Sequence, residues 1–233
     1  MIEVKDLKKS YNDSFSLNIQ ELIIPEKESF GLVGNNGAGK TTFFRLVLDL
    51  IQANEGEILS KGKPVAYSEH WKQYTGSFLD ENFLIEFLTF KEYLEFVANL
   101  NGLNEKDVEE FISKYSDFIG DSLIEDKKYI RDLSKGNQSK VGILSAIIGD
   151  PEIIILDEPF AHLDPSAQIR LKNILIDLRE NKNSTLLISS HDLKHVTEVC
   201  DRIVVLENGS VKMDLKTNLE TLKELENYFT SGL

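Results

Sequence analysis

Cysteine is almost missing: Cys200 is the only one among 233 residues. A lone thiol builds neither an internal disulfide nor a cysteine-based metal site, so a reducing, cytoplasmic setting is expected. Proline is scarce, 5 in all, and 41% of residues are hydrophobic, which excludes a disordered chain. Long apolar runs are absent as well. The longest aliphatic run, Ile153 to Leu156, is far too short to cross a bilayer, and the opening MIEVKDLKKSY has no secretory apolar stretch. A membrane role would need another chain to supply the span. Positive charge is the minority, 26 Lys and Arg against 39 Asp and Glu, and no basic run interrupts the acidity. A net charge of -13 repels a phosphate backbone, so no nucleic acid partner is expected.

Glycine is concentrated where it is used. The stretch GLVGNNGAGKTT, Gly31 to Thr42, fits G-x-x-x-x-G-K-[ST] at Gly34, Gly39, Lys40 and Thr41. A short buried strand, Glu28 to Val33, precedes it, and an apolar helix from Thr42 to Leu50 follows. Gly34, Asn35, Asn36, Gly37, Ala38 and Gly39 thus form a strand-to-helix loop whose N–H groups can cradle an anion at a helix N-terminus. Lys40 is placed to reach β- and γ-phosphates, the Thr41 hydroxyl to hold Mg²⁺, and Thr42 to continue the cradle.

The remaining pattern organises around that loop. Met1 to Pro25 alternates as antiparallel strands, with Tyr11 at their turn, where its ring can stack on a base. From Glu81 to Gly149 the texture is helical: Lys91 to Leu100, Glu105 to Ile119 and Gly136 to Ile148. Glu152 to Leu156 is a strand ending in Asp157-Glu158. Asp164-Pro165 starts a helix, and Thr185 to Ser189 is a strand ending at His191. Asn208-Gly209 marks a hairpin, and a helix is expected from Leu215 onwards. In a parallel sheet the loop, the two acids and His191 share one edge. There Asp157 can anchor Mg²⁺, Glu158 can polarise a water towards the γ-phosphate, and His191 can donate to it.

The ordered set of motifs closely resembles the nucleotide-binding subunit of ATP-binding cassette (ABC) transporters. It runs through Tyr11, GNNGAGKTT from Gly34, LSKGNQ from Leu133, IIILDEP from Ile153, HLDP from His162 and SSHD from Ser189, across roughly Ile2 to Met213. The resemblance implies an α/β fold: a P-loop NTPase, RecA-like core with an N-terminal antiparallel β subdomain and an inserted α-helical subdomain carrying the signature. Core and β subdomain would take 1–80 and 150–213, the helical subdomain 81–149, and a C-terminal helix 214–233. It further implies ATP and Mg²⁺ as ligands, Tyr11 against the adenine, Glu158 as catalytic base and His191 as its switch. Two subunits, most simply a homodimer, would pack head to tail, with Ser134 and Gly136 meeting the γ-phosphate held by the partner. A transmembrane permease on a separate chain would dock on the cytoplasmic face of the membrane.

Two motifs depart from the family pattern. Lys135 and Asn137 stand where the signature usually has Gly and Gln. Asp80, in SFLDEN, falls where a Gln usually serves Mg²⁺ and the attacking water, so Asp80 is a third candidate metal ligand beside Thr41 and Asp157. The spacing after Asp80 resembles bacterial export subunits. The competing class is a non-transport ABC ATPase acting on a cytosolic or ribosomal partner, disfavoured by the single cassette and the acidity. A GTPase is disfavoured because Asn181-Lys182-Asn183-Ser184 lacks the Asp of N-K-x-D.

Overall fold

The computed structural model describes residues 1–11, 15–125 and 127–231. Two alternating strands open it, β1 (Ile2–Tyr11) and β2 (Phe15–Ile24), paired antiparallel from Ile2↔Ile24 to Tyr11↔Phe15. Tyr11 is therefore the last residue of a strand; residues 12–14 of the expected turn lie outside the described residues. Next come β3 (Ser29–Val33), buried throughout, and α1 (Lys40–Val47), which starts at the lysine itself, two residues before the apolar pattern predicts. The β4 (Glu55–Ser60) and β5 (Lys63–Pro64) strands extend the antiparallel part beyond β1. Trp71, on a short 3₁₀ turn, is buried in the same core.

After β6 (Thr75–Phe78) the chain turns helical. The α2 helix (Phe90–Leu100) begins with a reciprocal Thr89–Glu92 capping box, and α3 (Glu105–Lys114) with an Asn104–Asp107 box. The single helix expected over Glu105 to Ile119 is two: the turn at Tyr115 breaks it, and α4 (Ser116–Ile119) follows. Apolar periodicity continues across the break because Phe111, Tyr115 and Phe118 all feed one core, so periodicity alone does not register it. Then come α5 (Asp121–Glu125) and α6 (Lys135–Ile147), capped by Ser134.

The second half alternates strand and helix: β7 (Ile153–Leu156), α7 (Pro165–Glu180), β8 (Thr185–Ser190), α8 (Leu193–Val199), β9 (Arg202–Glu207) and β10 (Ser210–Lys216). Asp164 caps α7 and Asp192 caps α8, each through its carboxylate, as the sequence pattern predicts. Asn208 and Gly209 both take positive φ, 47° and 73°, the conformation a tight hairpin turn demands. The tail corrects the expectation of a helix over 214–233. Residues 214–216 pair with β9, and the helix, α9 (Thr221–Ser231), starts later; Gly232 and Leu233 lie outside the described residues.

The ten strands form one sheet in the order β5-β4-β1-β2-β10-β9-β3-β8-β7-β6. The strands β9, β3, β8, β7 and β6 run parallel to one another, and β2 meets β10, also parallel, at the single pair Asn18↔Ser210; the remaining pairs are antiparallel. The β7 strand shows why its sequence is uninterrupted apolar. Ile153 and Ile155 pack on one face with Phe43 and Phe44 of α1, whereas Ile154 and Leu156 pack on the other with α6 and α7.

Strand β6 and helix α6 approach to backbone contact. A methyl group on Gly76 would lie 1.8 Å from the Ala146 carbonyl oxygen. Backbone cannot rotate away as a side chain can, so Gly76→Ala is expected to destabilise the fold by about 1–3 kcal/mol. A urea titration showing an unchanged midpoint would contradict this packing.

Candidate functional site

The loop between β3 and α1 is held from two sides. The Ala38 N–H donates to the Asn35 carbonyl at 3.0 Å, and the Gly209 N–H of the β9–β10 turn donates to the Ala38 carbonyl at 3.0 Å. Gly39 caps α1 with φ 111°, and a side chain there would meet the Phe15 ring at 2.9 Å, so the position requires glycine on both counts. The Lys40 side chain folds back and is buried. Its Nζ donates to the Gly34 carbonyl at 2.7 Å and lies 3.3 Å from Glu158 Oε1.

The acids arrive by strand register. Leu156 pairs with Phe78 and with Ile188, and the Asp157 N–H donates to the Phe78 carbonyl at 2.9 Å. Asp157 is thereby fixed beside Ser189, whose hydroxyl donates to Asp157 Oδ1, while the Thr41 hydroxyl donates to Asp157 Oδ2 at 2.5 Å. Burial pushes the Asp157 carboxyl above the usual carboxylate range, opposed by the Ser189 and Thr41 hydrogen bonds. Glu158 sits at φ 49°, a left-handed backbone that a glutamate adopts only when its surroundings impose it. Its N–H donates to Ser189 Oγ at 2.9 Å. Its carboxylate turns back into the cleft, where Oε2 accepts from His191 Nδ1 at 2.8 Å and from the His191 N–H at 3.2 Å.

Lys40, Thr41 and Glu158 of this network line one cleft of about 360 Å³, walled also by Tyr11, Phe15 and the rest of residues 35–42. Tyr11 stands half-exposed on the rim, with Lys9 Nζ 5.3 Å from its ring centroid. A magnesium ion fits the oxygen pair: Thr41 Oγ1 and Asp157 Oδ2 already share a proton, and hard oxygen donors in twos, completed by water and phosphate, are what Mg²⁺ takes.

Three candidates stand apart from this hydrogen-bonded network. Asp80 is spent as a cap, accepting from the Asn82 N–H at 2.8 Å and from the Asn82 side chain at 2.5 Å. Both bonds fall on Oδ1, and among the described residues no hydrogen bond joins Asp80 to Thr41 or Asp157. Ser134 and Gly136 begin α6, Ser134 exposed and accepting from the Asn137 N–H at 3.3 Å. Gly136 lies against the loop before α7, where an added methyl would come 2.7 Å from the His162 carbonyl oxygen. Two residues join the site that motif reasoning does not assign. Ser189 bridges both acids, and its trace in the sequence is a polar residue directly after the apolar Leu186 to Ile188 run of its strand. Phe15 walls the cleft, and its trace is only strand alternation.

Six aromatic rings crowd the sequence from Phe78 to Phe96: Phe78, Phe90 and Tyr93 are core, whereas Phe83, Phe87 and Phe96 are 55%, 65% and 44% exposed. Arg131 lies over Phe87 at 5.1 Å and over Tyr129 at 5.3 Å. Half of the rings thus form a surface rather than a core.

A glycine-rich strand-to-helix loop facing an acidic strand end defines the class: a P-loop nucleotide-binding α/β protein. The family model for ABC transporters matches residues 17–161. The chain is 35% identical over 229 residues to the Bacillus subtilis (strain 168) uncharacterized ABC transporter ATP-binding protein YhaQ, covering 98% of this chain and 74% of that protein. It is 36% identical over 219 residues to an uncharacterized ABC transporter ATP-binding protein of Nostoc sp. (strain PCC 7120), covering 91% of this chain and 65% of that one. The chain thus spans 65% to 74% of the length of these relatives. A solved dimeric ATP-binding cassette in a post-hydrolysis state, bound to ADP and Pi, superposes with a TM-score of 0.82 at 22% identity, covering 94% of this chain and 99% of that one. This chain belongs to the ABC transporter family, as an ATP-binding cassette.

The buried Asp157 carboxyl generates a prediction with a definite sign. Its folded pKa is raised, so it favours the folded state below the ordinary Asp value and loses that benefit as pH rises through the raised value. At neutral pH Asp157→Asn is therefore expected to raise the melting temperature of the ligand-free protein, by about 2–4 °C for each kcal/mol of relieved desolvation. The same change is expected to abolish the Mg²⁺-dependent part of ATP binding. Calorimetry of both properties checks this; a variant that loses stability would show that the carboxylate is a net support of the fold.

Proposed function

We propose that this cassette binds ATP with Mg²⁺ in the P-loop cleft, hydrolyses it, and so energises a membrane transporter, an exporter, on a separate permease chain. The carrying observation is that Lys40 and His191, distant in sequence, each come within 3.3 Å of the Glu158 carboxylate, beside the Thr41–Asp157 pair. The loop N–H groups and the α1 terminus would hold the phosphates, and Tyr11 and Phe15 would flank the base. Thr41 and Asp157 would hold the metal, which supplies charge neutralisation on the phosphates.

Glu158 is the base. It orients a water for in-line attack on the γ-phosphorus and takes its proton, and ADP leaves as the P–O bond breaks. In the ligand-free cleft, Lys40 and His191 both engage the Glu158 carboxylate. A triphosphate offers Lys40 stronger acceptors, so binding substrate frees one Glu158 oxygen for water. His191 Nδ1 donates to the carboxylate, which leaves Nε2 facing outward; it can donate to phosphate as the imidazolium.

Ser134 and Gly136 lie outside this cleft, which supports their serving a second copy packed head to tail. The exposed Phe83, Phe87 and Phe96 support a permease docking face, which would hold the protein peripherally on the cytoplasmic side of a membrane. No helix among the described residues is long and apolar enough to cross one. The spacing after Asp80 supports export over import.

Steady-state hydrolysis tests the reading. The Glu158→Gln variant is expected to lower kcat at least about a hundredfold while nucleotide affinity stays within a few-fold, since the base acts in the transition state and not in binding. Equal turnover in variant and wild type would remove Glu158 from the chemistry.

A further inference from the structure

The β6 strand and its following turn lie along α6 in a fixed order. Gly76 meets Ala146, Phe78 packs on Gly142, and Glu81 reaches Ser139. Ser139, Gly142 and Ala146 are spaced i, i+3, i+7 and share one helix face. The first two contacts are close-approach packing: methyl groups on Gly76 or Gly142 would fall within 1.8 Å of backbone or 2.1 Å of a ring. Packing of small residues sets distance but leaves the segment free to slide along the helix. The third contact is polar and directional. Ser139, 3% exposed, donates its hydroxyl to Glu81 Oε1 at 3.0 Å. The second Glu81 oxygen lies 3.9 Å from Lys135 Nζ, on the first residue of α6. The Glu81 side chain is itself only 18% exposed, so this pair is shielded from competing water.

What this tie joins is specific. On one side, β6 hands a backbone bond from the Phe78 carbonyl to Asp157, and Asp80 immediately precedes Glu81. On the other, α6 begins at Ser134 and Gly136. Among the described residues, Glu81 is therefore the one directional side-chain link along this interface between the strand end beside the metal-side acid and the helix start that lies outside the cleft.

We propose that Glu81 is a positioning residue that sets the register of α6, and with it Ser134 and Gly136, against the β6–β7 edge. It makes the signature competent to meet nucleotide on a second copy only while β6 is in its hydrogen-bonded place. This rests on the cassette reading above. Glu81 touches no substrate; it acts through Ser139 and, more weakly, through Lys135.

The test separates the two claims. In a Glu158→Gln background, ATP-driven dimerisation is followed by light scattering, and binding of a fluorescent ATP analogue to the dilute monomer is followed separately. Glu81→Ala and Ser139→Ala are each expected to raise the ATP concentration needed for dimerisation about tenfold, the value of one hydrogen bond to a charged acceptor. The double variant is expected to be no worse than either single one, as for two ends of one bond. Glu81→Gln, which keeps an acceptor for Ser139, should stay within about twofold of the parent, and monomer binding of the analogue should not change. Glu81→Gln and Ser139→Ala also keep the test decisive if Glu81→Ala does not fold. If the parent dimerises and the variants dimerise equally well, or if the Glu81 and Ser139 effects add, the positioning role is overturned and the cassette reading survives. It is also overturned if monomer affinity falls in parallel with dimerisation, the mark of a general structural defect. If the Glu158→Gln parent itself shows no ATP-driven dimer, the proposed head-to-tail pairing of two copies fails and this proposal fails with it.

Discussion

The site depends on a ladder of backbone hydrogen bonds. The β3, β8 and β7 strands run parallel in a register that brings Leu32 level with Ser189 and Leu156 level with Ile188. Every functional group then leaves the sheet at one edge: the loop after Val33, the acids after Leu156, His191 after Ser190. A one-residue slip in β7 would send Asp157 to the opposite face and leave Thr41 and Ser189 without their acceptor. The apolar side chains that pin this register are buried on both sides, so the site is as well fixed as the core itself.

The cleft is held ready by opposed charges and local strain. The Glu158 backbone is left-handed, the Asp157 carboxyl is desolvated, and Lys40 is turned inward to a carbonyl and a carboxylate. Left-handed backbone also occurs in loops away from the cleft, as at Lys27 and Tyr67, so it is the buried acid and the buried lysine that set this one apart. Together they leave the cleft complementary to a phosphate-bound metal: a cation to exchange partners, a carboxylate to release, and an oxygen pair to open. The Ser189 hydroxyl joins the two acids, and its role is legible only once β8 is seen beside β7.

Most of the fold was legible because its elements carry strong local marks. Asp164-Pro165 and Asp192 start helices by capping chemistry, Asn208-Gly209 closes a hairpin by its positive φ angles, and the uniformly apolar Ile153 to Leu156 is a strand covered on both faces. What escaped depends on contacts distant in sequence. The break at Tyr115 interrupts a helix without interrupting its apolar stripe. The tail pairs as a strand to Lys216 because β9 offers an edge, which no pattern within residues 214–216 announces. Asp80 occupies a motif position, yet one oxygen of its carboxylate is taken by Asn82 two residues on, a local competition that motif alignment ignores. The exposed and buried rings among Phe78 to Phe96 could not be told apart by type, only by which ones α6 covers.

Equilibrium binding of ATP, measured by calorimetry with Mg²⁺ and again with EDTA on wild type and Lys40→Ala, tests the central claim most directly. If the parallel edge builds a triphosphate site around Lys40, wild type binds ATP more tightly with Mg²⁺ than without. The variant, with an unchanged melting temperature, then loses at least about 2 kcal/mol, a charge-assisted hydrogen bond to phosphate. Equal affinity in a folded Lys40→Ala variant would mean that the convergence of Lys40, Asp157, Glu158 and His191 is not a nucleotide site.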